Sequence, residues 1–205
     1  MVISRPTPYG SLMESLFVPT LIVALAEIGD KTQLLALVLA ARFRKPWPII
    51  AGIIAATIAN HFAAGAIGSW VAGFFSETLL SWVLAASFLA VAAWTLIPDK
   101  LDDDEEGGLK KYGPFLTTLI AFFLAEMGDK TQVATVMLAA QYPHFWLVVI
   151  GTTLGMLIAN VPVVLAGNFA ADRLPLNLIR RLAAAAFAVL GLAAVWHALK
   201  LGGVI

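Results

Sequence analysis

Glu27, Asp30 and Lys31 lie inside one long apolar run of a 205-residue chain, and Glu126, Asp129 and Lys130 lie inside another. Clustered carboxylates are hard oxygen donors, the ligand type that suits Ca2+, Mg2+ or Mn2+. Beside them Thr32 and Gln33, and again Thr131 and Gln132, could add neutral oxygens. Local unwinding at Gly29 and Gly128 could add backbone carbonyls. No histidine stands near either motif and the chain has no cysteine. A dedicated zinc or copper site is therefore disfavoured, and disulfides are excluded. Four carboxylates and two lysines sum to −2, which one divalent cation or two protons would balance. Because a carboxylate must shed its proton to bind metal, one such site could exchange a metal ion for protons.

The surroundings make these charges expensive. Hydrophobic residues are 60% of the chain and charged ones only 13%, with a mean hydropathy of +0.89. Soluble domains are nearer a quarter charged, so the composition indicates a polytopic membrane protein whose solvent is the bilayer. Each acid near the centre of a spanning helix costs about 2.5–3.5 kcal/mol on insertion scales. Four of them together cost roughly 10 kcal/mol, so they are expected to face a polar cavity and bind something. A structural alternative is an i,i+4 ion pair, Glu27 with Lys31 and Glu126 with Lys130. That alternative leaves Asp30 and Asp129 unaccounted for. A net charge of zero gives no sign of nucleic-acid binding.

Apolar stretches separated by Pro, Gly and charge predict six transmembrane helices, near 12–41, 47–75, 78–97, 115–140, 145–171 and 178–199. The first run ends in Ala24-Leu25-Ala26, like a signal peptide with its cleavage site. The same apolar-then-acid pattern recurs at Ala125-Glu126, deep in the chain, so the first run is expected to be a true span. His61 beside Asn60 is a polar pair inside the second predicted span. The tryptophans fall near span ends, as an aromatic belt would.

The two halves are copies. At a constant offset of 99 residues Glu27 meets Glu126, Gly29 meets Gly128, Asp30 meets Asp129, and Lys31-Thr32-Gln33 meets Lys130-Thr131-Gln132. The register continues through Trp47/Trp146, Gly52/Gly151 and Gly68/Gly167. Asn60 and Asn160 miss it by one. The expected organisation is one integral membrane domain: a first repeat over 1–97, a charged cytoplasmic linker over 98–113 and a second repeat over 114–205. Three helices per repeat is an odd number, so the copies should enter the membrane from opposite sides. Inverted repeats of this kind carry midplane sites in many secondary transporters.

Nine Lys and Arg residues fall in the loops after predicted helices one, three and five, and only Arg5 and Lys200 on the opposite side. By the positive-inside rule, both termini are expected outside the cytoplasm. The acidic run Asp102 to Glu106 would then be a cytoplasmic linker, or an antechamber that concentrates cations.

Two copies of E-x-G-D-[KR]-[TS], here "EIGDKT" and "EMGDKT", resemble the GDT-one family of membrane divalent-cation:proton exchangers, formerly an uncharacterised protein family. That family is similar in plan to the calcium/cation antiporter superfamily. The resemblance spans nearly the whole chain, including "GTTLGMLIAN" from Gly151. It implies an all-α polytopic membrane protein that exports Mn2+ and/or Ca2+ from the cytoplasm in exchange for protons. The motif acids Glu27, Asp30, Glu126 and Asp129 would be the ion ligands. Thr32, Gln33, Thr131, Gln132, Lys31 and Lys130 would support the ion pathway. The implied partners are the lipid bilayer, divalent cations and protons, with no resident cofactor; a homo-oligomer is left open. The short termini, with no transit peptide, favour a bacterial inner (plasma) membrane. A metal-dependent hydrolase would need a nucleophile or a histidine-containing site near the motifs, so an enzyme is not expected. The remaining alternative is a proton-coupled exporter of a small organic solute, with the acids serving only as proton relay.

Overall fold

The computed structural model describes residues 11–97, 112–166 and 176–204. Most of the expected linker, with its acidic run, lies outside them. The described residues form eight α-helices: α1 (Leu12–Glu27), α2 (Lys31–Phe43), α3 (Pro46–Ala72), α4 (Glu77–Thr95), α5 (Pro114–Glu126), α6 (Lys130–Gln141), α7 (Phe145–Ala166) and α8 (Leu176–Leu201). Two of the six predicted helices are thus pairs, and both breaks fall on the charged motifs. Glu27 ends α1 and Asp30 is the N-cap of α2, while Gly29 between them takes φ 83°. Glu126, Asp129 and Gly128 (φ 75°) repeat the arrangement between α5 and α6. Positive φ is open to glycine at little cost, and it ends a helix. Helices α1 and α2 meet at 69°.

Polarity is distributed inside out. Leu21, Val189 and Leu192 are about 60% exposed or more, and Phe17, Ile67 and Leu124 are also exposed. Meanwhile Glu27, Glu126, Thr32, Thr131, His61 and Asn160 are wholly buried. An apolar exterior, with polar groups withdrawn into the packed interior, is what a hydrocarbon solvent selects. Helices α3, α4, α7 and residues 181–201 of α8 are each long and apolar enough to cross a membrane. The bent pair α1–α2 makes a fifth candidate span, and α5 is a shorter apolar helix.

The repeats pack against each other rather than side by side as separate units. Helix α1 lies along α7, α4 along α8, and α3 against α5, α6 and α7. The contacts are reciprocal. A methyl group at Gly52 would stand 2.8 Å from the carbonyl oxygen of Phe115 and 2.7 Å from Thr118 Cβ. At Gly151, its register mate, the methyl would stand 2.5 Å from the carbonyl oxygen of Leu16 and 3.3 Å from Pro19 Cβ. Leu16 and Pro19 are themselves the register mates of Phe115 and Thr118. Phe88 stacks on its own register mate Phe187, with ring centroids 6.5 Å apart and planes inclined at 26°. Such reciprocity is the signature of two copies related by a pseudo-twofold axis.

Gly155 extends the α1–α7 seam. A Cβ there would lie 2.6 Å from the Thr20 carbonyl oxygen and 2.9 Å from the Ala24 nitrogen. Both are backbone atoms that cannot swing aside, so Gly155→Ala is expected to cost about 1–3 kcal/mol by overpacking. Thermal unfolding in detergent micelles reads this as a lowered midpoint. An unchanged midpoint would mean the seam is looser than described.

Candidate metal centre

The two helix breaks bring both motifs to one buried place. One carboxylate oxygen from each of Glu27, Asp30 and Asp129 lies within 4.8 Å of the other two. An ion with metal–oxygen distances of about 2.3–2.6 Å can touch all three oxygens at that separation. Two of these residues come from the first repeat and one from the second. Glu126 is as deeply buried, but its carboxylate stands outside this set of three, and among the described residues neither of its oxygens accepts a hydrogen bond. It remains within electrostatic reach of Glu27, Asp129, Asp30 and Lys31.

Three residues apart on an unbroken helix, Glu27 and Asp30 would share one face. They instead sit on either side of the break, which aims the two carboxylates at one point from different helices. Asp30 and Asp129 occupy N-cap positions, yet neither carboxylate caps its own helix. Both side chains therefore serve the cluster, and the positive ends of α2 and α6 point toward it.

The partners of the acids cross between the repeats. Thr32 Oγ1 donates to Glu27 Oε2 at 2.6 Å, and Thr131 Oγ1, from the second repeat, donates to Glu27 Oε1. Lys130 Nζ lies 2.7 Å from Asp30 Oδ1, an ion pair between repeats that an i,i+4 spacing does not anticipate. Lys130 is buried, whereas its mate Lys31 is partly exposed. The chemically identical motifs therefore occupy different environments: among the described residues Glu27 is held by two hydroxyls, one from each repeat, and Glu126 by none.

Gln33 and Gln132, expected as further oxygen donors, spend those oxygens on the backbone. The Gly29 N–H donates to Gln33 Oε1 at 2.9 Å, and the Gly128 N–H to Gln132 Oε1 at 2.8 Å. Each glutamine thus satisfies an amide that the helix break would leave without a partner. Gln33 Nε2 also donates to the Ala159 carbonyl at 3.0 Å, tying the first motif to α7. On α3, Asn60 Nδ2 donates to the Phe123 carbonyl at 3.1 Å, one turn before Glu126. Register and burial also sharpen the reading of His61, which the sequence marked only as the polar neighbour of Asn60. The mate of Asn160 at the 99-residue offset is His61, and both are wholly buried.

Fold and site together define an all-helical membrane protein built of two copies, with a buried carboxylate cluster at their junction. The family described as divalent cation/proton antiporter GDT1 matches residues 15–103 and again 114–201, one match per repeat. The chain belongs to that family. It is 54% identical over 193 residues to a Vibrio cholerae protein named "Putative manganese exporter", covering 93% of this chain and 95% of that one. A GDT1-like protein of Synechocystis is 29% identical across 75% of this chain and 83% of its own length. The GDT1-like protein 5 of Arabidopsis thaliana is 25% identical across 89% of this chain and 96% of its own length. No solved structure gives a significant match.

Proposed function

We propose that the chain exports Mn2+ from the cytoplasm in exchange for protons, through a midplane site whose acids are Glu27, Asp30, Glu126 and Asp129. The observation that carries this reading is the convergence of carboxylates from both repeats in one buried cluster. The donors are all hard oxygens, which suits Mn2+ and Ca2+ alike. Mn2+ is placed first because the Vibrio cholerae relative bears a manganese exporter's name.

The proposed architecture is six spans in two inverted repeats, with α1–α2 and α5–α6 as broken spans. Reciprocal contacts at Gly52, Gly151 and the Phe88–Phe187 stack support a pseudo-twofold relation. An odd number of spans per repeat turns that relation into inversion. Lys and Arg placement supports an inner-membrane orientation with both termini outside the cytoplasm. The buried charge count supports the exchange. Glu27, Asp30 and Asp129 with Lys130 sum to −2, so one divalent ion neutralises the cluster, and protons must replace that ion when it leaves.

Proteoliposomes with an acidic lumen test this. Mn2+ in the bath should accumulate inside while the lumen becomes alkaline, and a protonophore should abolish the accumulation. Mn2+ uptake indifferent to the gradient would overturn the exchange. Ca2+ competition in the same assay ranks the two ions.

A further inference from the structure

Helix α3 carries a second set of buried polar groups that the cation cluster does not use. His61 is wholly buried, and neither ring nitrogen meets a hydrogen-bond partner among the described residues. Thr57, four residues earlier and so on the same helix face, is equally buried, and its hydroxyl also finds no partner. Polar groups buried without partners cost about 1–3 kcal/mol each, so these two are expected to serve a passing polar species.

Their position is fixed by the packing of α3 on α5. Gly52 lies against Phe115 and Thr118, and Asn60 bonds the Phe123 carbonyl at 3.1 Å. The two helices therefore advance together, and His61 lies roughly one turn from the level of Glu126 at about 1.5 Å per residue.

The mirror position has different chemistry. Thr57 and His61 correspond to Met156 and Asn160 on α7. There the polar group is tied to its own helix: Asn160 Nδ2 donates to the Met156 carbonyl at 3.1 Å and approaches Met156 Sδ at 2.9 Å. An amide cannot accept a proton on one atom and release it from another. An imidazole can, returning to its neutral form when the second nitrogen gives up its proton. Charged residues on the helices packed against α3 are Lys31 and Arg42 on α2, Glu126 on α5 and Lys130 on α6. Asp30 and Asp129 cap α2 and α6, and α7 carries no charge.

We infer that His61 is a proton-relay residue on a path running along α3 through Thr57, and that the mirror path along α7 conducts no protons. This rests on the exchange reading above. On the proposed orientation Thr57 lies on the cytoplasmic side of His61. Protons then leave the carboxylate cluster for the cytoplasm by way of one imidazole nitrogen and then the other.

The test uses His61→Asn, which gives α3 the residue type of its mirror position, and His61→Gln beside it, both in proteoliposomes. Exchange of labelled Mn2+ for Mn2+ at equal pH on the two sides needs no proton transfer and should continue at the wild-type rate. Uptake driven by a pH gradient should fall on the order of 10²-fold, the usual contribution of a positioned proton-transfer group. Gradient-driven uptake at the wild-type rate in either variant overturns the relay. Equal loss of both activities in both variants also overturns it, since that marks a packing role. Wild-type protein without gradient-driven uptake would fail earlier, at the exchange itself, and would take the relay down with it.

Discussion

Glu27→Gln is expected to remove Mn2+-dependent stabilisation and to abolish transport, while leaving the ion-free protein folded. The amide keeps the shape of the acid, and its oxygen can still accept from Thr32 or Thr131, which hold Glu27 in the native protein. What it loses is the negative charge and one of three convergent oxygens. At Mn2+ a hundredfold above Kd, the wild-type protein should gain about 2.7 kcal/mol of stability. For a chain of this size that is roughly 5–10 °C in unfolding midpoint. The variant should show almost none of this shift.

Glu126→Gln supplies the contrast. Because Glu126 stands outside the three-carboxylate set, its neutral version should keep most of the Mn2+-dependent shift and yet stop flux. The exchange cycle is proposed to need both glutamates, but this arrangement of the repeats engages only one. Thermal shift and proteoliposome flux on the two variants decide the matter. Equal loss of the shift in both variants would mean that all four acids bind the ion together. A full shift in Glu27→Gln would remove Glu27 from the site.

The doubled motif made the copies legible in the sequence, because "EIGDKT" and "EMGDKT" keep a constant register with Gly52/Gly151 around them. Composition made the membrane class legible. The helix breaks were legible only as local unwinding at Gly29 and Gly128 within otherwise continuous spans. Glycine inside an apolar periodic run is compatible with an intact helix, and only the backbone shows Gly29 and Gly128 at positive φ. Gln33 and Gln132 carry a signal at that point, an amide oxygen four residues after each glycine, but oxygen donors in an acidic motif read more naturally as ligands.

Pairing across the repeats was hidden for a different reason. An internal repeat states which residues are equivalent, not which of them touch, and Lys130 on Asp30 is a contact between non-equivalent positions. His61 was noticed in the sequence only as the polar partner of Asn60, and its register match was missed. Asn60 resembles Asn160 in type, so attention falls on a pair that misses the register by one, while the true mate of Asn160 is an imidazole. The difference between the environments of Glu27 and Glu126 could not be read from motifs that are chemically the same. It belongs to the particular arrangement of the two halves that the structure captures.

Lys130→Met is the second large effect, and its sign depends on whether metal is present. The Lys130 ammonium lies 2.7 Å from Asp30 and is buried with it, so it serves as the built-in counter-ion of the cluster. Removing one member of a buried ion pair leaves an uncompensated charge and costs about 3–5 kcal/mol. In chelator the variant should therefore unfold well below the wild-type protein. Methionine keeps the apolar length of the lysine stem, so the loss is electrostatic rather than a cavity effect. With Lys130 gone, Glu27, Asp30 and Asp129 present −3 to the ion instead of a net −2. Mn2+ then replaces the missing ammonium and should restore much of the stability, giving a larger metal-dependent shift than the wild-type protein shows. Tighter holding is the opposite of what turnover needs, because a transported ion must leave as readily as it arrives. Mn2+ flux should fall even as Mn2+ binding strengthens. Thermal unfolding in chelator and across a Mn2+ titration, beside initial flux rates, separates these effects. If the metal-dependent shift is no larger than in the wild-type protein, Lys130 does not compete with the cation for these carboxylates, and its ion pair with Asp30 only fastens one repeat to the other.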